Sequence, residues 1–374
     1  MSALLKTNII LLLVFIFKNV SIPQSQLYFD GYLLNLGSVQ MQKTPLGSQS
    51  NNKFQNINRL RIRPRLEFNE DITLTIEHET FILYKNGNEF HSEKYEKIMG
   101  QLVNLHFTLL NNSIWQITHF IDRLHLMANI DRFNITLGRQ RIAWGTGRIW
   151  NPTDMFNPIN PTNFAKIEKD GVDAALMKYN FSSLTDLSIV INPTKHRTNF
   201  ALRFRTNFSE FDVSLMSGKF NKNLVYGIDF AGNLLNAGVR GEMLVSSQII
   251  KYILGMDYQF SPKIYSLIEY HFNGAGKSKK ENYNFNDLIT NNSIYLARSY
   301  INFQLLFIVH PLSTISILLN RNLNDDSRYF SLNLSYSILE NLNLNWITNI
   351  FFGKENTEYW YYPSSLGLRL EYFF

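Results

Sequence analysis

The sequence predicts an all-β fold: a transmembrane, antiparallel up-and-down β-barrel of about 18 strands, within about 16 to 20. Three observations lead there. From Leu27 onward, segments of about 9 to 13 residues alternate large apolar or aromatic side chains with Asn, Ser, Arg or Glu, as in 332–337 (LNLSYS), 342–348 (LNLNWIT) and 366–374; in a strand, alternate residues face opposite sides. Transmembrane strands need about 9 to 11 residues, whereas strands of soluble sheets average about 5 to 6. After Lys18, no apolar run reaches the length of about 18 residues that a membrane helix needs. Finally, Leu368, Leu370, Tyr372 and the terminal Phe374 share one parity, with Arg369 and Glu371 on the other.

The chain opens on Lys6 and a nine-residue apolar run, 9–17 (IILLLVFIF). That run is too short to span a bilayer and suits the core of a signal peptide. Residues 1–25 are therefore expected to be removed on export, with cleavage between Ser21 and Ser25, leaving 26–374 as the barrel; a retained anchor is the alternative. The formal charge of +6 falls to +4 when Lys6 and Lys18 leave, a mild balance that gives no reason to expect nucleic acid as a partner. With no cysteine in 374 residues, neither disulfides nor thiolate metal sites arise. The 29 Phe, 19 Tyr and 5 Trp coexist with a mean hydropathy of −0.15, as a sheet with one apolar and one wet face requires.

Turn-forming residues at 69–71, 131–133, 182–183, 261–263 and 340–341 read as short hairpins. Longer irregular stretches lie at 37–52, 85–98, 145–170, 274–292 and 353–364. Short turns toward the periplasm and long loops outside are the expected asymmetry. Counting back from the C-terminus gives strands at 364–374, 341–352, 328–339, 313–322 and 294–309, and eventually 134–144. Ahead of Asp122 four candidates remain where an even total needs three or five; 112–119 (NSIWQITH) is either a loop or an extra strand.

Parity assigns the faces. With Leu60, Ile62, Leu66 and Phe68 toward lipid, Arg59, Arg61, Arg63 and Arg65 point into the lumen, because a cation at the bilayer midplane costs about 2 to 4 kcal/mol. The same rule sends Arg203 and Arg205 inward, with Arg240 and Arg369, against Glu67, Glu77, Glu79, Asp229, Glu242, Asp257, Glu269 and Glu371. A water-filled channel with a basic strip that favours anions is one outcome. Mutual pairing that merely fills the interior is the other.

The segment 138–170 (GRQRIAWGTGRIWNPTDMFNPINPTNFAKIEKD) breaks the alternation. Pro152, Pro158 and Pro161 exclude a strand or continuous helix, and a patternless loop of about 25 residues is more often functional than accidental. Ile135 and Leu137 share parity with Arg139 and Arg141, so a bulge at Gly138 is expected to turn both arginines inward and place Trp144 at the outer aromatic girdle. Asp154, Glu168 and Asp170 are near enough in sequence to pin the loop onto Arg139, Arg141 or Arg148. The loop would then fold inward and narrow the lumen, with Arg139 and Arg141 either meeting solute or holding the loop.

The order Gly138-Arg139-Gln140, Trp144-Gly145, Asn157-Pro158 and Lys169-Asp170-Gly171-Val172-Asp173 resembles the signature of porin-like outer-membrane barrels. That group is of unassigned function and is distantly similar to phosphate-selective and alginate-type porins. The resemblance covers about 40 residues; the remainder matches in architecture alone. It implies passive or substrate-biased passage across the bacterial outer membrane, and small polar or anionic solutes are the expected cargo; the parity of the strands makes Arg59, Arg61, Arg63, Arg65, Arg139, Arg141, Arg203 and Arg205 the candidate pore-lining residues. Trp144, Asp154, Glu168 and Asp170 are the candidate loop anchors. The C-terminal strand ending on Tyr372 and Phe374 resembles the signal read by the barrel assembly machinery. Outer-membrane lipid and lipopolysaccharide are the expected surroundings, and an oligomer is compatible with them.

No catalytic pattern appears. G-x-S-x-G and H-E-x-x-H are absent, and Gly276-Lys277-Ser278 lacks the leading Gly of a phosphate-binding loop, position 271 being His. Glu77 and Glu79 face away from His78, which disfavours a shared metal. No enzyme activity, cofactor or metal is expected. A closed barrel serving as a surface scaffold or adhesin, or carrying a hydrolase site at its rim, is the alternative.

Overall fold

The computed structural model describes residues 25–41, 52–86, 101–157, 168–247, 249–289 and 295–374. The signal peptide and its cleavage site, apart from Ser25, lie outside these residues, as do Pro158 and Pro161.

Described in chain order, the strands are β1 (Gln26–Met41), β2 (Asn52–Glu67), β3 (Ile72–Lys85), β4 (His106–Asn111), β5 (Trp115–Ile130) and β6 (Phe133–Gln140). After the central loop come β7 (Val172–Asn180), β8 (Asp186–Pro193), β9 (Thr198–Phe208), β10 (Phe211–Phe220), β11 (Asn223–Leu234), β12 (Ala237–Ser246) and β13 (Ile250–Ser261). The last six are β14 (Ile264–Asn273), β15 (Ser299–His310), β16 (Ser313–Asn322), β17 (Arg328–Leu339), β18 (Leu342–Phe352) and β19 (Ser364–Phe373). Eighteen of them pair antiparallel with their neighbours and close into a ring. β19 meets β1 at the seam, where Gly31 and Phe374 exchange both backbone hydrogen bonds at 2.9 and 3.1 Å.

β4 stands outside that ring. Among the described residues it pairs only with residues 116–120 of β5, while β6 pairs with 124–130 of β5. Leu105 O accepts from Ile121 N between the two. β4 and the residues before it thus occupy the edge of β5 that β6 leaves when it ends early. The ambiguous stretch 112–119 resolves accordingly: 115–119 begin β5, and 112–114 are the turn from β4.

Why these residues make a barrel follows from the register. Leu319, Phe330 and Ile350 stand side by side across β16, β17 and β18 on the outer face, as do Leu334 and Trp346, both well exposed. The intervening residues, among them Asn302, Asn320, Asn345 and Asn349, are buried inside. Several turns use two left-handed residues, Ser209-Glu210, Asn221-Lys222 and Leu235-Asn236, the type I′ geometry that matches the strand twist. Ser209-Glu210 and Leu235-Asn236 close hairpins at one end of the barrel, and Asn221-Lys222 closes the β10–β11 hairpin at the other, the end from which β6 leads into the central loop. Inside, one apolar cluster (Tyr32, Leu34, Ile57, Phe81, Leu83, Phe120) lines β1, β2, β3 and β5. Two others form around the central loop.

Candidate functional site: a loop tethered inside the barrel

β6 ends at Gln140, four residues before the expected Trp144, and the chain leaves the wall there. Gly138 makes the departure possible. Its φ of +119° belongs to glycine, and a Cβ there would strike the backbone of Leu124 and His125. No residue is inserted: Gly138 stays in register with His125 on one side and Ala174 on the other, so the expected bulge is absent. The irregularity lies in β5 instead, where Asp122 is the extra residue opposite Glu77 and His78.

Arg139 accordingly does not turn toward the lumen. It stands opposite Leu124, one of the exposed outer residues, and is itself 2% exposed. Its Nε donates to Asp173 Oδ1 at 2.8 Å and its Nη1 to Ile121 O at 2.9 Å, and Nη2 reaches Val103 O. Asp173 Oδ2 in turn accepts from the backbone N–H of Leu102 and Val103 at 2.7 and 2.9 Å. The pair seals the place where β6 gives way to the segment leading into β4. Arg141, two residues further, is exposed and forms no hydrogen bond or ion pair among the described residues.

From there the loop packs on the inner wall. Ile142, Trp144 and Phe156 join Val172, Val190, Ala201 and Met216 of β7 to β10. Trp144 is buried against Phe156, edge to face with centroids 5.3 Å apart, so it anchors the loop from within and does not reach an outer girdle. Ile142 N donates to Asn157 Oδ1 at 2.9 Å, tying the outgoing limb to the returning one.

Two carboxylates of the facing wall hold the tip. Glu242 on β12 accepts from the backbone N–H of Thr146 and Gly147, both at 2.5 Å, and from N and Oγ1 of Thr153 at 3.0 and 2.7 Å. Glu269 on β14 accepts from the N–H of Arg148, Ile149 and Trp150 at 2.9, 3.2 and 2.8 Å. Both are almost fully buried. A buried carboxylate needs donors, and a tight run of backbone amides is an anion-binding concavity. Gly145, at φ +93°, permits that turn. A Cβ on it would lie 2.7 Å from Glu242 Oε1. Trp150 then stacks on His271 at 5.0 Å, beside Tyr295 and Tyr300.

On the return, Asp154 is ion-paired with Lys169, and burial pushes its carboxyl up to about 6 even so. Glu168 pairs with Arg61 and Arg63 on β2, and Asp170 offers its backbone oxygen to Asn157 Nδ2. The expected pinning of Asp154 and Glu168 onto Arg139, Arg141 or Arg148 therefore gives way to these other partners, because Arg139 is held in the wall.

The arginine strip is mostly neutralised. Arg59 meets Glu79 at 2.5 Å; Arg61, 2% exposed, is surrounded by Glu77, Glu79, Asp122 and Glu168. Arg63 faces Glu168 and Asp30, and Arg65 faces Glu67 at 3.3 Å with Tyr28 beneath it. Further round, Arg203 bonds Ser214 at 2.8 Å and lies 3.5 Å from Asp229, and Arg205 meets Asp186 at 2.9 Å. Tyr372 and Phe374 stand exposed beside the seam.

Glu242, Glu269, Asp122 and Lys169 as loop holders escape a reading of the sequence. One signal existed: Glu242 lies directly across from Asp229, and like charges opposite one another are unfavourable unless one has other donors. Seeing it requires the register.

Comparison with solved structures bears on the fold. An engineered triple mutant of the Rhodopseudomonas blastica porin aligns with a TM-score of 0.51 at 9% identity, covering 93% of this chain and 100% of that one. It shares the porin fold. A second variant of the same porin gives 0.50 at 9% identity with the same coverage, and Pseudomonas putida OprB at low pH gives 0.48 at 10%, over 92% of each chain. No protein-family model and no curated protein matches the sequence. At this identity the likeness concerns the porin fold alone, and residue roles rest on the contacts described above.

Proposed function

We propose that the protein is an outer-membrane channel through which small polar solutes diffuse, narrowed by the loop that leaves the wall at Gln140. The single observation that carries this is the tether: a closed barrel whose central loop runs inside and is fixed by Glu242 and Glu269 on the facing wall. A sealed scaffold would need no such precisely held internal segment. The motif from Gly138 to Asp173 is read in the same sense, with long loops outside the cell and short turns in the periplasm.

Among solutes, uncharged polar molecules fit better than anions. The arginines of β2 and β9 are paired with acids, and the inward residues of β15 to β18 carry no charge: Gln304, Ser316, Asn333, Ser335 and Asn345 are typical. Such a wall offers hydrogen bonds without selecting a sign of charge.

The test is reconstitution of the mature chain in planar bilayers and in vesicles. Stable conductance steps with weak ion selectivity are expected, together with vesicle swelling at least as fast in a neutral sugar as in an organic anion of similar size. A folded, inserted barrel that never conducts would sink the channel reading in favour of a scaffold or rim enzyme.

A further inference from the structure

We infer that the outer face of β16 to β18, at the long-loop end, is a seat for a phosphorylated, multiply acylated membrane lipid. The register builds it in two rows. Leu319, Phe330 and Ile350 form a straight apolar row, and two residues nearer the loops stand Arg321, Arg328 and Phe352. The change from apolar to cationic takes about 7 Å along the strands, the scale on which acyl chain gives way to headgroup.

Arg321 and Arg328 are direct cross-strand partners, an arrangement of like charges that is unfavourable by itself. Asp326, in the turn above them with φ +64°, lies 2.6 Å from Arg321 and 3.4 Å from Arg328. One carboxylate thus bridges two guanidinium groups at the membrane boundary. Above this row, Lys279 and Lys280 on the neighbouring loop and Lys354 after β18 form no ion pair among the described residues. All of these side chains line a groove of about 1100 Å³. Five cations face three carboxylates there, Glu281, Asp325 and Asp326, and Asp325 is already engaged by Ser327 and the N–H of Glu358.

A free anion would use the lysines and leave the apolar row idle; a neutral lipid would use the row and leave the lysines idle. A lipid with phosphate groups over several acyl chains satisfies both, with the phosphates between Lys279, Lys280 and Lys354 and the chains on Leu319, Phe330 and Ile350. Surface cations each strengthen binding to anionic lipid by roughly five-fold. This inference rests on the proposal that the barrel spans the membrane with its long loops in the outer leaflet.

The test is native mass spectrometry of the intact barrel in detergent, titrated separately with a diphosphorylated, multiply acylated glucosamine disaccharide, with phosphatidylethanolamine and with inorganic phosphate. The wild type is expected to retain the first selectively. The triple substitution Lys279→Ala, Lys280→Ala, Lys354→Ala should weaken retention on the order of a hundred-fold, while Lys195→Ala with Lys219→Ala, exposed lysines elsewhere on the same rim, should leave it unchanged. Equal loss in both variants, no loss in the triple variant, or displacement by inorganic phosphate at equal concentration would each overturn the seat. Heat-modifiable migration and insertion into vesicles are scored for every variant; a barrel that fails to insert overturns the membrane reading itself, whereas one that inserts but retains no lipid overturns only the seat.

Discussion

Arg139 and Arg141 are two residues apart and share a parity in the sequence, yet the structure treats them oppositely. Arg139 is buried between Asp173 and two backbone carbonyls; Arg141 is exposed at the start of the internal loop. Removing one partner of a buried, hydrogen-bonded pair costs about 3 to 5 kcal/mol. Arg139→Ala should therefore lower the yield and denaturant resistance of the barrel while leaving the ion selectivity of the molecules that fold unchanged. Arg141→Ala should do the reverse, folding normally and shifting the reversal potential toward cations in a salt gradient. Parity alone groups these arginines because it counts residues along one strand. It cannot see that β6 stops and that residues 101–105 close over the gap.

The loops at the long-loop end are elements with their own electrostatics. Glu358, in the 3-10 turn Glu358–Tyr361, is buried and accepts hydrogen bonds from Tyr300 Oη at 2.6 Å, Asn322 Nδ2 at 2.8 Å and Leu296 N at 3.2 Å, tying its loop to the ends of β15 and β16 and to the segment that leads into β15. Burial pushes its carboxyl up to about 7. A raised carboxyl value means that the folded loops hold the proton more tightly than the unfolded chain does. The stabilisation is complete below the ordinary glutamate range and declines as pH rises toward about 7, levelling above it. Amide exchange at Leu296 and Ala297, corrected for the intrinsic rate, should thus accelerate between pH 5 and pH 8, and Glu358→Gln should flatten that dependence. Asp154 pushes the central loop in the same direction. Strands such as 313–322 and 328–339 were legible to the residue, since alternation and turn chemistry are local. The tether was not, because its two halves are about 100 positions apart in sequence and one half is backbone.

At the scale of the molecule, the ring, the replacement strand β4 and the tether form one device. β4 covers the edge of β5 beyond the end of β6, the chain after Gln140 enters the interior, and Glu242 and Glu269 decide where it stops. Loss of both grips, in Glu242→Ala with Glu269→Ala, should raise the single-channel conductance and its noise relative to wild type, with the strand content seen by circular dichroism preserved. An unchanged, quiet conductance would mean that the loop does not set the narrowest point. The grip has a further property: apart from the Thr153 hydroxyl, both carboxylates take main-chain amides. Every residue but proline supplies one, so changes of side chain at Thr146, Arg148 and Ile149 leave the grip of the two carboxylates itself in place, although the Thr146 hydroxyl also donates to Phe230 O at 3.3 Å and Ile149 packs beside Trp150. Related chains could diversify what they admit by drifting at these positions, and an engineer could rewrite the filter of this pore without redesigning its frame.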